Sequence, residues 1–479
     1  MSGLLFKSMQ SNILNSDTIC AIATPHGMGA IATVRLSGNK AFPIVSQLFE
    51  QHGQPFDMSK LVSHKAYFGQ IVDNGAMLDE VLVTFFKAPH SFTGEDSAEI
   101  SVHGSVYVQQ KLLQVLIAKG CRMAEAGEFT RKAFVNRKFD LAQAEAIADL
   151  ISSESEAAHR VAINQLKGGF SQELQVLRSK LLDMTSLMEL ELDFSEEDVE
   201  FADRKQLKAL LQEALDKVNK LKDSFRLGNA IKNGIPVAIV GQTNTGKSTL
   251  LNALLGEDRA IVSDIAGTTR DTIEETLNIN GILYRFIDTA GLRSTDETIE
   301  KIGIERSYKK IAEANIVIGM LDATTDYESM LSSANEIRSK VDFEHQQLVL
   351  CINKVDTLAD QGELLLGQLR QDLDDDAIQV ICLSAKHKFG LNDLYNTLKH
   401  SQPLASPDAT LVTNVRHYEA LLHASESLKS VQQGLEINIP TDLISQDLRE
   451  ALYYLGSITG EITSDEILGN IFAKFCIGK

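Results

Sequence analysis

The feature that most constrains the fold of this chain is a glycine-rich segment between an apolar run and a helical pattern. Gly241-Gln-Thr-Asn-Thr-Gly-Lys-Ser248 follows the apolar run at 236–240, and a helical pattern opens at Thr249. A strand, such a loop and a helix together form a phosphate-binding loop, because backbone N–H groups and the positive end of the helix face the phosphate oxygens. The segment therefore predicts an α/β unit that binds a nucleotide.

The side chains of this loop predict how a nucleotide is held. We expect Lys247 to reach the β- and γ-phosphates and the Ser248 hydroxyl to ligand Mg²⁺. The loop positions expected to contact the nucleotide are Gly241, Asn244, Thr245, Gly246, Lys247, Ser248 and Thr249. The alternative is a glycine turn followed by a chance Lys-Ser pair, which the strand–loop–helix context disfavours.

Apolar runs that alternate with helical stretches predict a parallel sheet wrapped by helices in the same part of the chain. These runs lie at residues 237–240, 284–287, 316–321, 348–352 and 378–383. We place the α/β domain at residues 235–398.

Two polar motifs that follow these runs predict selection of guanine. They are Asn353-Lys-Val-Asp356 and Ser384-Ala-Lys386. The Asp356 carboxylate can accept from guanine N1–H and from the 2-amino group, whereas adenine would leave the charge unpaired. We expect the backbone N–H of Ala385 to donate to guanine O6, Asn353 and Lys354 to brace the loop, and Ser384 to complete the pocket.

Two further motifs predict the segments that respond to the γ-phosphate. Asp288-Thr-Ala-Gly291 ends the run at 284–287, which suits a Mg²⁺ contact by Asp288 and a movable Gly291. Ala266-Gly-Thr-Thr-Arg-Asp271 fits a first switch loop that brings Thr268 and Thr269 to the nucleotide. The predicted Mg²⁺ ligands are Ser248, Thr269 and Asp288.

Position 292 departs from the Ras-type pattern and bears on the mechanism of hydrolysis. Ras-type GTPases have a glutamine there that orients the attacking water, and this chain has Leu292. Asn244 offers an amide oxygen near the phosphates, which suits a monovalent cation that offsets transition-state charge. Glu300 is the candidate for orienting water, and a solvated helix carboxylate is the alternative for that residue.

Composition and charge argue against several other classes of protein. A formal net charge of −19 disfavours a large basic face for nucleic acid. The 5 cysteines include no CxxC pair, which disfavours a disulfide framework or a zinc site. No run is long and apolar enough to span a bilayer, and residues 1–17 lack the apolar core of a secretory signal. We therefore expect a cytoplasmic protein with no membrane contact.

The pattern along the chain predicts that one domain is inserted into another. Residues 1–126 mix strand-like runs with turns, which is typical of an α+β domain. Residues 127–234 and 399–479 carry apolar positions at helical spacing, and the first of these tracts contains no proline. We infer that the α/β domain at 235–398 is inserted into a helical domain built from both flanks.

Outside the nucleotide motifs, four stretches resemble the MnmE (TrmE) family of tRNA-modifying GTPases. They are Asp17-Thr-Ile with Ala23-Thr-Pro25, Phe92-Thr-Gly-Glu-Asp96, Asp140-Leu-Ala-Gln-Ala-Glu-Ala-Ile-Ala-Asp149 and Phe475-Cys-Ile-Gly-Lys479. The resemblance runs from about residue 17 to residue 479. It implies a multidomain α/β + α chain with an N-terminal α+β tetrahydrofolate-binding-like domain, a helical domain and an inserted P-loop GTPase domain with a Ras-like parallel sheet.

The same resemblance implies a function and the residues that carry it. The family forms homodimers through its N-terminal domains and works with a flavin- and NADH-dependent partner protein. It adds an aminomethyl or carboxymethylaminomethyl group to carbon 5 of uridine 34 in tRNA, with potassium-stimulated hydrolysis of GTP. By resemblance, Asn244 matches a K⁺ ligand, Glu300 the glutamate that orients catalytic water, and Cys476 a cysteine needed for modification. Arg35 and Glu128 are the candidate folate contacts.

Two other classes of function stay open at this point. A GTP-controlled assembly factor, for example in ribosome maturation, usually brings a basic RNA-binding module, and no GXXG clamp with basic flanks is apparent. A membrane-remodelling GTPase would need an amphipathic or transmembrane anchor. Co-purification with ribosomal subunits would support the first class, and retention on liposomes would support the second.

Overall fold

The computed structural model describes two compact units of the chain. The described residues are 17–193, 204–257, 275–287, 311–358, 362–375, 377–400, 410–437, 439–473 and 475–478. The first unit comprises Met1–Ile151, Gln165–Asp216 and Ala420–Lys479, and the second comprises Ser152–Asn164 and Lys217–Glu419. The chain thus leaves the first unit and returns to it.

Strands concentrate in two stretches of the described chain, and helices separate them. The strands are β1 (Ile19–Ile22), β2 (Ile31–Ser37), β3 (Phe49–Gln51), β4 (Gln54–Pro55), β5 (Ala66–Asp73), β6 (Ala76–Phe86), β7 (Ser97–His103), β8 (Arg122–Met123), β9 (Ile235–Gly241), β10 (Glu275–Ile279), β11 (Ile282–Phe286), β12 (Ile316–Asp322), β13 (Gln347–Asn353) and β14 (Gln379–Cys382). The helices are α1 (Ala41–Ser46), α2 (Val106–Ala118), α3 (Glu128–Val135), α4 (Leu141–Ser152), α5 (Glu156–Leu166), α6 (Gly169–Asp193), α7 (Arg204–Asn233), α8 (Lys247–Glu257), α9 (Tyr327–Arg338), α10 (Gly362–Leu373), α11 (Leu391–His400), α12 (Val415–Glu436), α13 (Thr441–Thr459) and α14 (Asp465–Phe472).

The first unit contains an eight-stranded sheet with the order β4-β3-β5-β6-β7-β2-β1-β8. Its neighbouring strands are antiparallel except β1 and β8, which run parallel. Leu112 and Leu116 of α2 share an apolar cluster with Val34 of β2 and Val83 of β6, so α2 covers one face of the sheet. The alternation of buried and exposed residues along β6 follows because only one face packs against a core.

Helices from both flanks of the chain complete the first unit. α6 and α13 pack along each other. Phe134 of α3 shares an apolar cluster with Phe472 of α14 and with Phe475 just beyond it. The end of the chain therefore packs onto residues that follow the eight-stranded sheet in sequence.

The second unit contains a six-stranded sheet with the order β10-β11-β9-β12-β13-β14. β10 is antiparallel to β11, and the other neighbours are parallel. One apolar cluster includes Leu250 and Leu254 of α8, and another includes Ala334 and Ile337 of α9. Both faces of the sheet are thus covered, as parallel strands with apolar residues on both faces require.

The predicted fold class is confirmed by these two sheets and the helices around them, and the five predicted strands of the α/β domain all form. The exact division at residues 126, 234 and 398 stays a prediction. β10 was not predicted from the sequence, because its five residues alternate in polarity and it lies at an edge of the sheet. In the described part of the chain, no helix has the length and apolarity that crossing a membrane requires.

Tyr284 ties the second sheet to its last helix and provides a test of this packing. The side chain is fully buried, its hydroxyl donates to the Leu398 carbonyl at 2.8 Å, and burial raises its pKa to about 12. Tyr284→Phe removes this buried hydrogen bond, and we expect a loss of about 1 kcal/mol in the free energy of unfolding. In calorimetry this corresponds to a melting temperature about 2–4 °C lower for the second unit.

Tyr395→Phe is the matched control for this substitution, because the Tyr395 hydroxyl lies 3.5 Å from the Leu254 carbonyl and is only partly buried. It should lower the melting temperature less. Equal effects of the two substitutions would show that the Tyr284 bond adds nothing specific.

Candidate functional site

The loop between β9 and α8 has the backbone of a phosphate-binding loop. Gly246 has φ 96°, a left-handed conformation that favours glycine, and a Cβ at this position would collide with the Asn353 amide nitrogen. Ser248 and Thr249 lie in the exposed first turn of α8. The N-terminus of a helix and the preceding loop are thereby presented together, which is the arrangement that binds phosphate.

Two hydrogen bonds within the loop are accepted by Gln242. Its carbonyl accepts from the Thr245 hydroxyl at 2.9 Å and from the Lys247 ammonium at 2.7 Å. Lys247 also donates to the Gly241 carbonyl at 3.0 Å. The ammonium group therefore lies against two carbonyls of the loop, in the loop whose lysine reaches the β- and γ-phosphates in proteins of this type.

Asn353 joins the phosphate loop to the loops that were predicted to select guanine. Its side chain is only 3% exposed. The amide nitrogen donates to the Thr245 carbonyl at 2.7 Å, and the amide oxygen accepts from the Ala385 N–H at 3.0 Å. One buried side chain thus fixes three segments that lie far apart in sequence. The N–H predicted to meet guanine O6 donates to Asn353 here, so the O6 contact stays a prediction.

Lys354 is held by an aspartate that sequence analysis did not identify. Its ammonium lies 2.6 Å from Asp322 Oδ2, and its backbone has φ 67°. Burial disfavours the charge on Asp322, but hydrogen bonds from Lys354 and Thr324 outweigh it and hold the pKa of Asp322 below its usual value. The signal in the sequence was the position of Asp322 at the carboxyl end of a parallel strand, where ligands of α/β sheets bind.

Asp356 lies beside Ser384, which favours the ionised form of its carboxyl group. A hydrogen bond from the Ser384 hydroxyl lowers the pKa of Asp356, and the charges of His387 and Lys386 act in the same direction. The His387 ring nitrogen Nε2 lies 3.5 Å from Asp356 Oδ2. An ionised carboxylate has two acceptor oxygens and no donor, so it can accept hydrogen bonds from two N–H groups on one edge of a base.

Several predicted contacts fall outside the described residues. They are Thr268, Thr269, Asp288, Gly291 and Glu300. Leu292 lies outside them as well. Among the predicted Mg²⁺ ligands, the described part of the chain therefore contains Ser248. Its exposed hydroxyl is an oxygen ligand of the kind that Mg²⁺ prefers.

In the first unit, Arg35 holds the last described residues of the chain. The guanidinium binds Glu99 at 2.8 Å and donates to the Gly478 carbonyl at 3.3 Å. Gly478 has φ 94°, and a Cβ there would collide with the Ile22 carbonyl, so only glycine fits between the strands and the tail. Arg35 is thus engaged on both sides by groups of its own chain.

Cys476 and Glu128 lie beside the same tail. The Gly127 N–H donates to the Cys476 carbonyl at 3.4 Å, while the Cys476 side chain is exposed. Glu128 is buried and binds Arg122 at 2.6 Å. Burial disfavours its charge, but hydrogen bonds from Arg122 and the Glu125 N–H lower the pKa of Glu128. Arg35, Glu128 and Cys476 therefore share a neighbourhood, and their roles stay predictions.

Comparisons with known proteins match nearly the whole chain. A family model described as the MnmE helical domain matches residues 141–476, and one described as the GTP-binding protein TrmE N-terminus matches residues 18–138. The tRNA modification GTPase MnmE of Flavobacterium johnsoniae is 51% identical over 470 residues, which cover 98% of this chain and 100% of that protein. The protein of the same name from Bacteroides fragilis is 51% identical over 473 residues, with coverages of 97% and 100%.

Solved structures match a smaller part of the chain. Aquifex aeolicus Era bound to GDP and AlF4⁻ is 26% identical and covers 40% of this chain and 66% of its own, with a TM-score of 0.28. A TM-score this low does not establish a shared overall structure.

The Asn353 bridge can be tested by removing its amide. Asn353→Ala leaves the buried Thr245 carbonyl and Ala385 N–H unpaired, and an unpaired buried group costs about 1–3 kcal/mol. We expect the affinity for GDP to fall by about 5- to 150-fold, which isothermal titration calorimetry measures directly. Asn335→Ala, at an exposed position of α9, is the control. An unchanged affinity in Asn353→Ala would show that the bridge does not support binding.

Proposed function

Because the chain belongs to the MnmE (TrmE) family of tRNA modification GTPases, we propose that it hydrolyses GTP in its second unit during modification of the wobble uridine of tRNA. The group added is aminomethyl or carboxymethylaminomethyl, at carbon 5 of uridine 34. The observation that supports the GTPase part is the buried Asn353 side chain, which joins the phosphate loop at Thr245 to the loop of Ala385, one of the two loops proposed to select guanine.

Binding of GTP follows from the groups that these loops present. Lys247 exchanges its bonds to the Gly241 and Gln242 carbonyls for phosphate oxygens, which form stronger, charge-assisted hydrogen bonds. Asp356 accepts from guanine N1–H and the 2-amino group. Ser248, Thr269 and Asp288 are proposed to hold Mg²⁺, which offsets charge on the β- and γ-phosphate oxygens.

Hydrolysis is proposed to use a potassium ion and a water-orienting glutamate. Asn244 is exposed, and its backbone has φ 60°, an uncommon conformation for a residue other than glycine. Its amide oxygen is the proposed K⁺ ligand, and Glu300 is proposed to orient the attacking water in place of the glutamine that position 292 lacks. A cation at this place offsets the charge that develops on the transferring phosphate.

The potassium proposal predicts a difference between two salts at equal ionic strength. We expect faster GTP turnover in KCl than in NaCl, measured as phosphate release at saturating GTP. In Asn244→Ala this difference should vanish while GDP still binds. Equal rates of the unaltered protein in the two salts would remove the cation from the mechanism.

The proposed recognition of guanine predicts a change of base preference in Asp356→Asn. The NH2 group of the introduced carboxamide would donate to the 2-carbonyl of xanthine. In guanine the same NH2 group would meet the 2-amino group, and two donors cannot form a hydrogen bond with each other. We expect XTP to bind the variant more tightly than GTP, by at least about tenfold. Asp393→Asn, at an exposed position of α11, should leave GTP preferred. Tighter binding of GTP than of XTP by Asp356→Asn would contradict the assignment of Asp356.

The modification chemistry is proposed to need partners beyond this chain. We propose a homodimer that works with a flavin- and NADH-dependent protein in the cytoplasm, with a tetrahydrofolate derivative as the source of the added carbon. Arg35 and Glu128 are the proposed folate contacts, supported by their location near the tail that carries Cys476. The net charge of −19 suits a division in which the partner protein holds most of the tRNA.

Nucleoside mass spectrometry of total tRNA tests the modification proposal. Cells that lack the gene should lose their 5-aminomethyl-type wobble uridines, and the intact gene should restore them. We expect Cys476→Ser not to restore them, whereas Cys382→Ser, at a partly buried cysteine of the second unit, should. Wobble uridines that persist without the gene, in cells with no second enzyme for this step, would contradict the proposal and favour the assembly-factor class.

A further inference from the structure

One side-chain contact ties the phosphate loop to a helix that no nucleotide motif includes. The Gln242 side-chain nitrogen donates to the Ser333 hydroxyl at 2.7 Å, across 91 positions of sequence. The same hydroxyl donates to the Ser329 carbonyl at 2.9 Å. Because a serine hydroxyl has one proton to donate, Ser333 is oriented by α9 so that its oxygen accepts from Gln242.

Gln242 is therefore held from two directions. Its side chain is bound by Ser333, and its carbonyl accepts from Thr245 and Lys247 within the loop. The contact to Ser333 thus adds a bond from α9 to the bonds that Gln242 makes inside the loop.

α9, which carries Ser333, is capped at its N-terminus and packed against the sheet. Asp326 caps its N-terminus by accepting from the Ser329 N–H at 2.9 Å, and a bond of this kind satisfies an end group of the helix. Met330, Ala334 and Ile337 are buried against the sheet. Ser333 thus projects from the same helix that these residues anchor.

We propose that Ser333 is a positioning residue for GTP hydrolysis, which acts by fixing Gln242 and, through it, the place of Asn244 beside the phosphates. The inference rests on the proposed function. Asn244 is two residues from Gln242 and has φ 60°, a conformation that persists when its surroundings hold it. In the described part of the chain, the hydrogen bonds of the Ser333 hydroxyl go to Gln242 and Ser329, and neither residue is a predicted nucleotide contact.

The test compares three variants of the full-length protein. In Ser333→Ala we expect kcat for GTP to fall by about three- to tenfold, the loss expected for one hydrogen bond, while KM and the affinity for GDP change by less than about twofold. The KCl concentration for half-maximal stimulation should rise. Ser333→Thr keeps the hydroxyl and should restore kcat. Ser332→Ala, at the exposed neighbouring position, should leave kcat and the KCl concentration for half-maximal stimulation unchanged.

A double-mutant cycle shows whether Ser333 acts through Gln242. Gln242→Ala should lower kcat by the same factor as Ser333→Ala, and the double variant should lower it no further. Additive losses, or a kcat in Ser333→Ala equal to that in Ser332→Ala, would overturn the inference. If the unaltered protein is no faster in KCl than in NaCl, the cation proposal fails, whereas the kcat comparison in one salt still decides the role of Ser333.

Discussion

The nucleotide site depends on a single buried amide. Asn353 lies at the end of β13, where its side chain bonds the phosphate loop on one side and the loop after β14 on the other. Each bond involves a backbone group that would otherwise be buried without a partner. One side chain therefore links the loop that carries Lys247 to the loop that carries Ala385, and these are the loops proposed to contact phosphate and base.

In the first unit, one side chain likewise joins two segments that lie far apart in sequence. Arg35, from β2, binds the Gly478 carbonyl 443 positions later, and Gly478 fits against Ile22 because it lacks a Cβ. The tail is fixed on both sides of Cys476, yet the cysteine side chain stays exposed. The thiol that is proposed to serve in modification is therefore presented from an anchored backbone, the arrangement that chemistry at a defined position requires.

Sequence alone predicted the elements well, because apolar runs and the phosphate-loop glycines are local signals. It did not predict contacts that depend on register. Asp322 meets Lys354 because β12 pairs with β13 so that Asp322 lies opposite Asn353, and no local pattern encodes that pairing. The Gln242–Ser333 and Arg35–Gly478 bonds were missed because each joins segments that lie far apart in sequence, and no local pattern encodes such a contact. Edge strand β10 gave too weak an apolar signal for a prediction.

We propose above all that GTP hydrolysis at the nucleotide site of the second unit drives tRNA modification. The most direct measurement is the content of 5-aminomethyl-type wobble uridine in tRNA from cells whose only copy of the gene carries Lys247→Ala, compared with cells that carry the unaltered gene. We expect loss of the modified uridine in the variant, with the protein present at its normal level and melting temperature. Full modification with Lys247→Ala would contradict this proposal.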